Sequence, residues 1–219
     1  MKADLHIHSI YSPDAINKPE TILSVAADRG IDIIAITDHD TTAAWQPLAA
    51  IQHKYPVQVV FGQEIKVYHE NRIVGEILGL FLKQPVTGRD TKTIIAEITA
   101  QHGLVSIAHP FSERRHEFQA FTEIDNWTNL AVEARNGRTY NLRDNEMAEN
   151  LAARLHTPIT AGSDAHTPFE IGNVYVEFDG KNIDDLKQAI LHHQVQVGGH
   201  PSSVLFSIIS GFGRLGIAV

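Results

Sequence analysis

The sequence contains no cysteine, so it can form neither disulfides nor thiolate metal sites. Any metal must then be held by imidazole and carboxylate, a donor set that suits Zn, Mn or Fe. Basic residues are in the minority. Lys and Arg number 18 against 26 Asp and Glu, a net charge of −8, whereas broad binding to nucleic acid requires a basic face. That count leaves open a nucleotide held at a local metal centre. No run approaches the roughly 20 apolar residues of a membrane span. The most apolar stretch, 203–219 (SVLFSIISGFGRLGIAV), is interrupted by Arg214 and reads as an element packed on the body of the protein or on a partner subunit. Met1-Lys2-Ala3-Asp4 runs straight into a strand and leaves no room for a signal peptide, so the expected address is the cytoplasm. Internal repeats, low-complexity segments and linkers are also lacking.

What is present is enough for a sizeable core: 219 residues, 43% of them hydrophobic and 20% charged. The expected organisation is a single domain over 1–200 followed by an apolar tail, 201–219. The chain opens on MKADLHIHSIYSPD, where Asp4, His6 and His8 alternate with Leu5 and Ile7. Period-two alternation marks a strand with one polar face, so His6 and His8 point the same way, close enough to grip one ion.

Alternating strands and helices follow. A helix is expected over Ile16 to Arg29, stopped by Gly30, and a buried strand over Ile31 to Thr37, ending in Asp38-His39-Asp40. Thr41 or Thr42 caps a helix to about His53. Pro56 to Glu64 reads as the third strand, and Ile65 to Leu82 as a β excursion turning at Asn71 and carrying Glu76. Then come a helix (Asp90 to His102), a strand ending in His109-Pro110, a strand from Leu130 to Ala134, and a helix from Asn141 to His156 packed through Met147, Leu151 and Leu155. Pro158 to Ala161 leads into Gly162-Ser163-Asp164-Ala165-His166, Asn173 to Phe178 closes the sheet, and Ile183 to His193 is a last helix capped by Asn182. Such alternation implies βαβ units and a parallel sheet. His8, His39, Glu64, His109, Asp164 and His166 all fall at or just beyond strand C-termini, where a barrel carries its chemistry.

The ordered set DLHIHS, ITDHD, GQEI, GEILGL, AHP and GSDAH resembles the PHP (polymerase and histidinol phosphatase) family over residues 3 to about 193. The resemblance implies a distorted (βα)7 TIM-like barrel with two to three divalent ions (Mn, Fe or Zn) and hydrolysis of phosphate esters. Carried over, His6, His8, Glu64 and Asp164 would hold a first ion. Glu64 would bridge to a second completed by His109 and Glu76, and Asp14, His39 and His166 would hold a third. Many relatives carry histidine where this chain has Glu76, and a carboxylate there favours Mn or Fe(II) over Zn. The implied catalytic set is Glu64, His39, Asp164 and His166. Grouped cations clamp phosphoryl oxygens and activate a water, and His39 or His166 could assist the leaving oxygen.

Arg135, Arg138 and Lys66 are the candidates for substrate phosphate, with Arg114 and Arg115 as further basic residues after His109. The alternative for Arg135 is a salt bridge with Glu133 or a solvated loop. Asp4, Asp38 and Asp40 are candidates to take the second N–H of ligand imidazoles. His53, His69, His102, His116, His156, His192, His193 and His200 read as structural or surface groups, with His69 and His116 nearest the site. The expected partner is a small phosphorylated metabolite or nucleotide, without an extended nucleic-acid groove or a membrane. The rival readings are a nuclease acting on short oligonucleotides, a non-catalytic metal-binding PHP module and a C–N hydrolase barrel.

Overall fold

The computed structural model describes residues 1–112, 117–127, 130–203, 205–206 and 210, so Arg114, Arg115, His116 and most of the apolar tail lie outside the described residues. Among the described residues there are ten strands and five α-helices. The first half runs β1 (Lys2–Ile7), α1 (Pro19–Asp28), β2 (Ile33–Ile36), α2 (Trp45–Ile51), β3 (Gln58–Phe61), β4 (Gln63–His69) and β5 (Arg72–Leu80). The second runs α3 (Thr91–Ala100), β6 (Leu104–Ile107), β7 (Leu130–Asn136), α4 (Leu142–Leu155), β8 (Ile159–Gly162), β9 (Val174–Phe178), α5 (Ile183–Leu191) and β10 (Val195–Gly199).

Local chemistry sets most of these boundaries. Pro19 occupies the first turn of α1, where its missing N–H costs nothing. Asp90, Asn141 and Asn182 cap α3, α4 and α5 by accepting backbone N–H bonds from Thr93, Arg143 and Asp185. The expected threonine cap of α2 is not used: that helix begins at Trp45 behind Ala44. Its indole pins it instead, donating to Gly62 O at 3.0 Å. Glu70 and Asn71 both take positive φ and turn the β4–β5 hairpin. In α4 the buried positions are Asn145, Ala148, Leu151 and Ala152, a helical stripe that leaves Met147 exposed, contrary to expectation.

The strands form two mixed five-stranded sheets, β10-β9-β1-β2-β3 and β4-β5-β6-β7-β8, rather than the one parallel sheet expected. β1, β2 and β3 are parallel, as are β6, β7 and β8. The hairpin β4–β5 and the pair β9–β10 enter antiparallel. The long third strand is broken at Gly62, where any Cβ would lie 2.7 Å from Gly79 O. The chain changes sheet there, so Glu64 is the second residue of β4 and not the end of β3. β10 had no sequence expectation, although Val195 and Val197 alternate with glutamines.

Isolated bridges join the two sheets: Ile7 to Ala165 on one side and His39 to Glu64 on the other. Among the described residues the ladders do not run on into one closed ring. Strands of both sheets nevertheless share a core, in which Leu5, Ile33, Leu78, Leu104 and Ala161 pack with Leu186 and Ile190 of α5. α1 and α2 cover the other face of β1–β3 through Ile22, Leu23 and Leu48. No helix among the described residues is long and apolar enough to cross a membrane.

Candidate metal centre

The two seams bring the expected ligands together. His6, His8, Glu64 and Asp164 are fully buried, and His109, Glu76 and His166 nearly so. Asp14 and His39, with side chains 34% and 10% exposed, mark the open side.

Glu64 is the hub. Its Oε1 lies 3.3 Å from His6 Nε2 and 3.1 Å from His109 Nε2, and its Oε2 lies 3.3 Å from His8 Nε2 and 2.8 Å from His39 Nδ1. Asp164 Oδ1 sits 3.3 Å from His8 Nε2 and 3.8 Å from His6 Nε2. Glu76 Oε2 is 3.5 Å from His109 Nε2, and Asp14 Oδ2 is 3.2 Å from His166 Nε2 and 3.6 Å from His39 Nε2. Two donors bound to one ion at about 2.1 Å and tetrahedral angles are about 3.4 Å apart. The observed spacings cluster at that value.

Proton bookkeeping points the same way. His6 Nδ1 contacts Glu133 Oε1 at 2.8 Å and His166 Nδ1 contacts the Asp164 carbonyl at 2.8 Å, so both are N–H donors there. His8 Nδ1 contacts Ser12 Oγ, whose own proton goes to Asp38. Each of these rings, when neutral, therefore turns an Nε2 lone pair inward, and the Nε2 atoms of His6 and His8 face each other at 3.1 Å. Asp14 Oδ1 is buried and makes no hydrogen bond, and the Glu64–His39 contact lacks hydrogen-bond geometry. These residues fit a bound divalent cation. Among the described residues, three groups have donor atoms within 4.8 Å of one another: His6, His8 and Asp164; His8, His39 and His166; and His39, Glu64 and Glu76. The last two differ from the expected grouping: His8 joins His39 and His166 as well as His6 and Asp164, and His39 faces the Glu64 and Glu76 carboxylates with Nδ1 and Asp14 with Nε2.

The electrostatics are those of carboxylates and imidazoles held together. Burial opposes charging of His6, yet Asp164, Glu133 and Glu64 outweigh it and hold its pKa well above the ordinary value. His39 is raised against burial by Glu64, Asp14 and Glu76, and His109 by Glu64 and Glu76. Burial favours the neutral Glu64 acid, but His6 and His39 prevail and hold it ionised well below the usual range. Asp14 is likewise lowered, burial being overcome by His166 and His39. Unlike the His6, His39 and His109 rings, His8 is pushed down, by burial and by His166 and His39 beside it. Backbone strain accompanies the cluster: His109 and Asp164 have φ of 25° and 55°.

The supporting residues differ from expectation. Asp4 touches no imidazole ring. Its carboxylate accepts from Ser163 and Gly172 N–H, and burial pushes its pKa up to about 6. A register shift between Asp4 and Ile7 breaks the alternation that would have set it beside His6. Asp38 acts at one remove, through Ser12. Asp40 accepts the Lys66 backbone N–H and pairs with its ammonium at 3.5 Å. The carboxylate that does hold a ring is Glu133, in the middle of β7. It takes His6 Nδ1–H at 2.8 Å, the His109 backbone N–H at 2.8 Å and Asn136 Nδ2 at 3.1 Å. A single charge inside the apolar run LAVEA was the available signal. Asn136 also donates to Asp164 Oδ2, leaving Oδ1 toward the histidines.

Two phosphate candidates are committed elsewhere. Arg135 pairs with Glu149 of α4 at 2.7 Å, not with Glu133. Arg138 is buried against Glu170 at 3.0 Å. The register shift between Glu133 and Arg135 in β7 accompanies the turn of Arg135 toward α4. Lys66 stays beside the cluster, opposite Glu76 in the hairpin. His69 pairs with Glu123 on the surface.

Comparison with known proteins bears on the family rather than on individual site residues. Residues 143–195 match the family model described as PHP-associated. An uncharacterized protein of Methanocaldococcus jannaschii is 30% identical over 190 residues, 84% of this chain and 73% of that protein. Phosphoribosyl 1,2-cyclic phosphate 1,2-diphosphodiesterase of Eggerthella lenta is 40% identical over 72 residues, 33% of this chain and 27% of the enzyme. Among solved structures, a two-domain protein from Bacteroides vulgatus containing a predicted PHP-like metal-dependent phosphoesterase aligns with a TM-score of 0.77 at 17% identity. The alignment covers 91% of this chain and 65% of that one, and it speaks to the fold alone. With the strand-end histidines and carboxylates converging on Glu64, the chain belongs to the PHP family.

Proposed function

We propose that the protein is a metal-dependent phosphoesterase that holds two to three divalent ions and hydrolyses a small phosphorylated metabolite or a nucleotide. The observation that carries this reading is Glu64, whose two oxygens reach four imidazoles and so suit a carboxylate bridging two ions. Bound there, divalent ions supply charge against the phosphoryl oxygens and lower the pKa of water.

The chain's own residues supply the rest. Asp14, Glu64, Glu76 and Asp164 bring four negative charges. Three dications would leave the centre with a positive excess suited to a phosphate dianion. Glu133 and Asn136 orient His6 and Asp164. The ester would enter on the side of Asp14 and His39, the most exposed members of the cluster. Lys66, a quarter exposed and on the same strand face as Glu64, stands ready to meet its phosphate. The isolated bridges at both sheet junctions support the distorted barrel as the frame.

Protein purified without chelators or a metal affinity column should carry two to three equivalents of Mn, Fe or Zn. Once loaded, it should release phosphate from a panel of phosphorylated metabolites. Zero or one equivalent, unchanged after incubation with these ions, would overturn the reading in favour of a non-catalytic module.

A further inference from the structure

Arg138 and Glu170 form an ion pair in the protein interior. Glu170 is fully buried, Arg138 is 6% exposed, and Nε meets Oε1 at 3.0 Å. Burying two charges costs several kcal/mol per ion in desolvation, and well-packed apolar residues often do as well or better for stability. Stability alone therefore gives little reason for the pair. Its other contacts supply one.

Glu170 Oε2 accepts three hydrogen bonds from the loop after β8: His166 N–H at 3.0 Å, Thr167 N–H at 2.9 Å and the Thr167 hydroxyl at 3.0 Å. The carboxylate thus sets the backbone from which the His166 ring projects. With Nδ1–H donated to the Asp164 carbonyl, that ring presents Nε2 to Asp14. Arg138 has a second hold on the same motif. Its backbone N–H donates to Asn136 Oδ1 at 2.8 Å, and Asn136 Nδ2 donates to Asp164 Oδ2. One residue of the loop after β7 is therefore tied toward both Asp164 and His166. Its guanidinium also donates to Ser210 Oγ at 2.9 Å, which links the region beyond β10 to this loop.

We propose that Arg138 is a positioning residue for the Asp14–His39–His166 subsite, acting through Glu170 rather than on substrate. The inference rests on the metal-centre reading above. Without the guanidinium, the buried Glu170 carboxylate loses its counter-charge and its anchor on the Arg138 side, and a carboxylate free to turn loosens its hold on the His166 loop. Lysine keeps the charge at this place while giving up the planar fork.

The test is stepwise titration of metal-free protein with Mn²⁺ by calorimetry, using wild type, Arg138→Met, Arg138→Lys, the charge-neutral double variant Arg138→Met/Glu170→Gln, and Asp14→Asn to mark the subsite. Arg138→Met should weaken the Asp14-dependent step by roughly 10- to 100-fold, the usual effect of removing support from a ligand. The other steps should be unchanged, and Arg138→Lys should recover most of the loss. The double variant, free of the uncompensated charge, should fold and show the same selective weakening. All steps unchanged, or all weakened alike with a lower melting temperature, would overturn the proposal. If wild type binds no ion, the metal-centre reading fails. Long-range ¹H–¹⁵N correlation of His166 in metal-free protein then decides: an Nδ1–H tautomer in wild type that becomes mixed in Arg138→Met supports positioning, and an unchanged tautomer overturns it.

Discussion

His39 and Glu64 meet twice. Their backbones form one of the two isolated bridges that join the sheets, and His39 Nδ1 lies 2.8 Å from Glu64 Oε2. The seam of the fold and the hub of the candidate site are thus the same pair of residues. Glu64 is held on both sides, its N–H donating to Asp38 O and its carbonyl accepting from Asp40 N–H. Bringing the sheets together and bringing the ligands together are one event.

Replacing Glu64 tests that junction directly. Because the strand pairing uses backbone atoms, Glu64→Gln should fold with wild-type circular dichroism yet lose metal. Turnover should fall by about a hundredfold or more, the scale of losing one electrostatic stabiliser of a transition state. Near-normal turnover by the loaded variant would sink the bridging role.

Proton linkage offers a second test. His6, His39 and His109 have raised pKa values in the metal-free protein, so the stability they contribute is full below about pH 6.5 and lost as pH climbs through their folded-state values. Asp4 works in the same direction: raised to about 6, it costs stability above that pH and is relieved below it. Depressed Glu64 and Asp14 contribute above about pH 4, and His8, being lowered, opposes the other rings on acidification. Metal binding must displace the histidine protons. The melting temperature of metal-free protein should therefore fall between pH 6.5 and 8, while the margin between loaded and metal-free protein widens. Calorimetry in buffers of different ionisation enthalpy should register proton release near pH 7. A margin independent of pH would contradict the linkage.

Glu76 bears on metal choice. Its carboxylate lies 3.5 Å from His109 Nε2, and Glu76→His would exchange a hard donor for an imidazole. The preference measured by competitive loading should move from Mn toward Zn with folding intact. An unchanged preference would remove position 76 from the ligand set.

Arg135 serves as the counter-case. Its partner Glu149 is 42% exposed and the pair lies toward α4, so Arg135→Ala should cost about 0–1 kcal/mol of stability and leave KM unchanged. A substantially raised KM with normal metal content would return Arg135 to the phosphate.

The division between sequence and structure follows the range of the forces involved. Alternation in DLHIH, the buried run IDIIAIT, the caps Asp90, Asn141 and Asn182 and the turn at Asn71 are local, since backbone propensity and burial act within a few residues. They located nearly every strand and helix and put the histidines and carboxylates at strand ends. What propensity cannot express is which strand lies beside which. At the break, Gly62 is closely approached by the carbonyl of Gly79, more than a dozen residues away, and the break puts Glu64 in the next sheet rather than at the end of β3. Asp4 departs from the alternation of DLHIH in a similar way: beside the register shift its carboxylate meets Ser163 and Gly172, partners remote in the chain.

By itself, then, the sequence determined the donor set: with no cysteine, only imidazoles and carboxylates remain, and their order along the chain carries the family's motifs. Only the tertiary structure decided which side chains support that set. Glu133 holds His6, Asn136 orients Asp164, and Glu170 with Arg138 holds the loop bearing His166. The physical reason is that a buried charge must find its counter-charge and hydrogen bonds wherever packing brings them. Those partners come from strands and loops far apart in the chain, so no local pattern announces them.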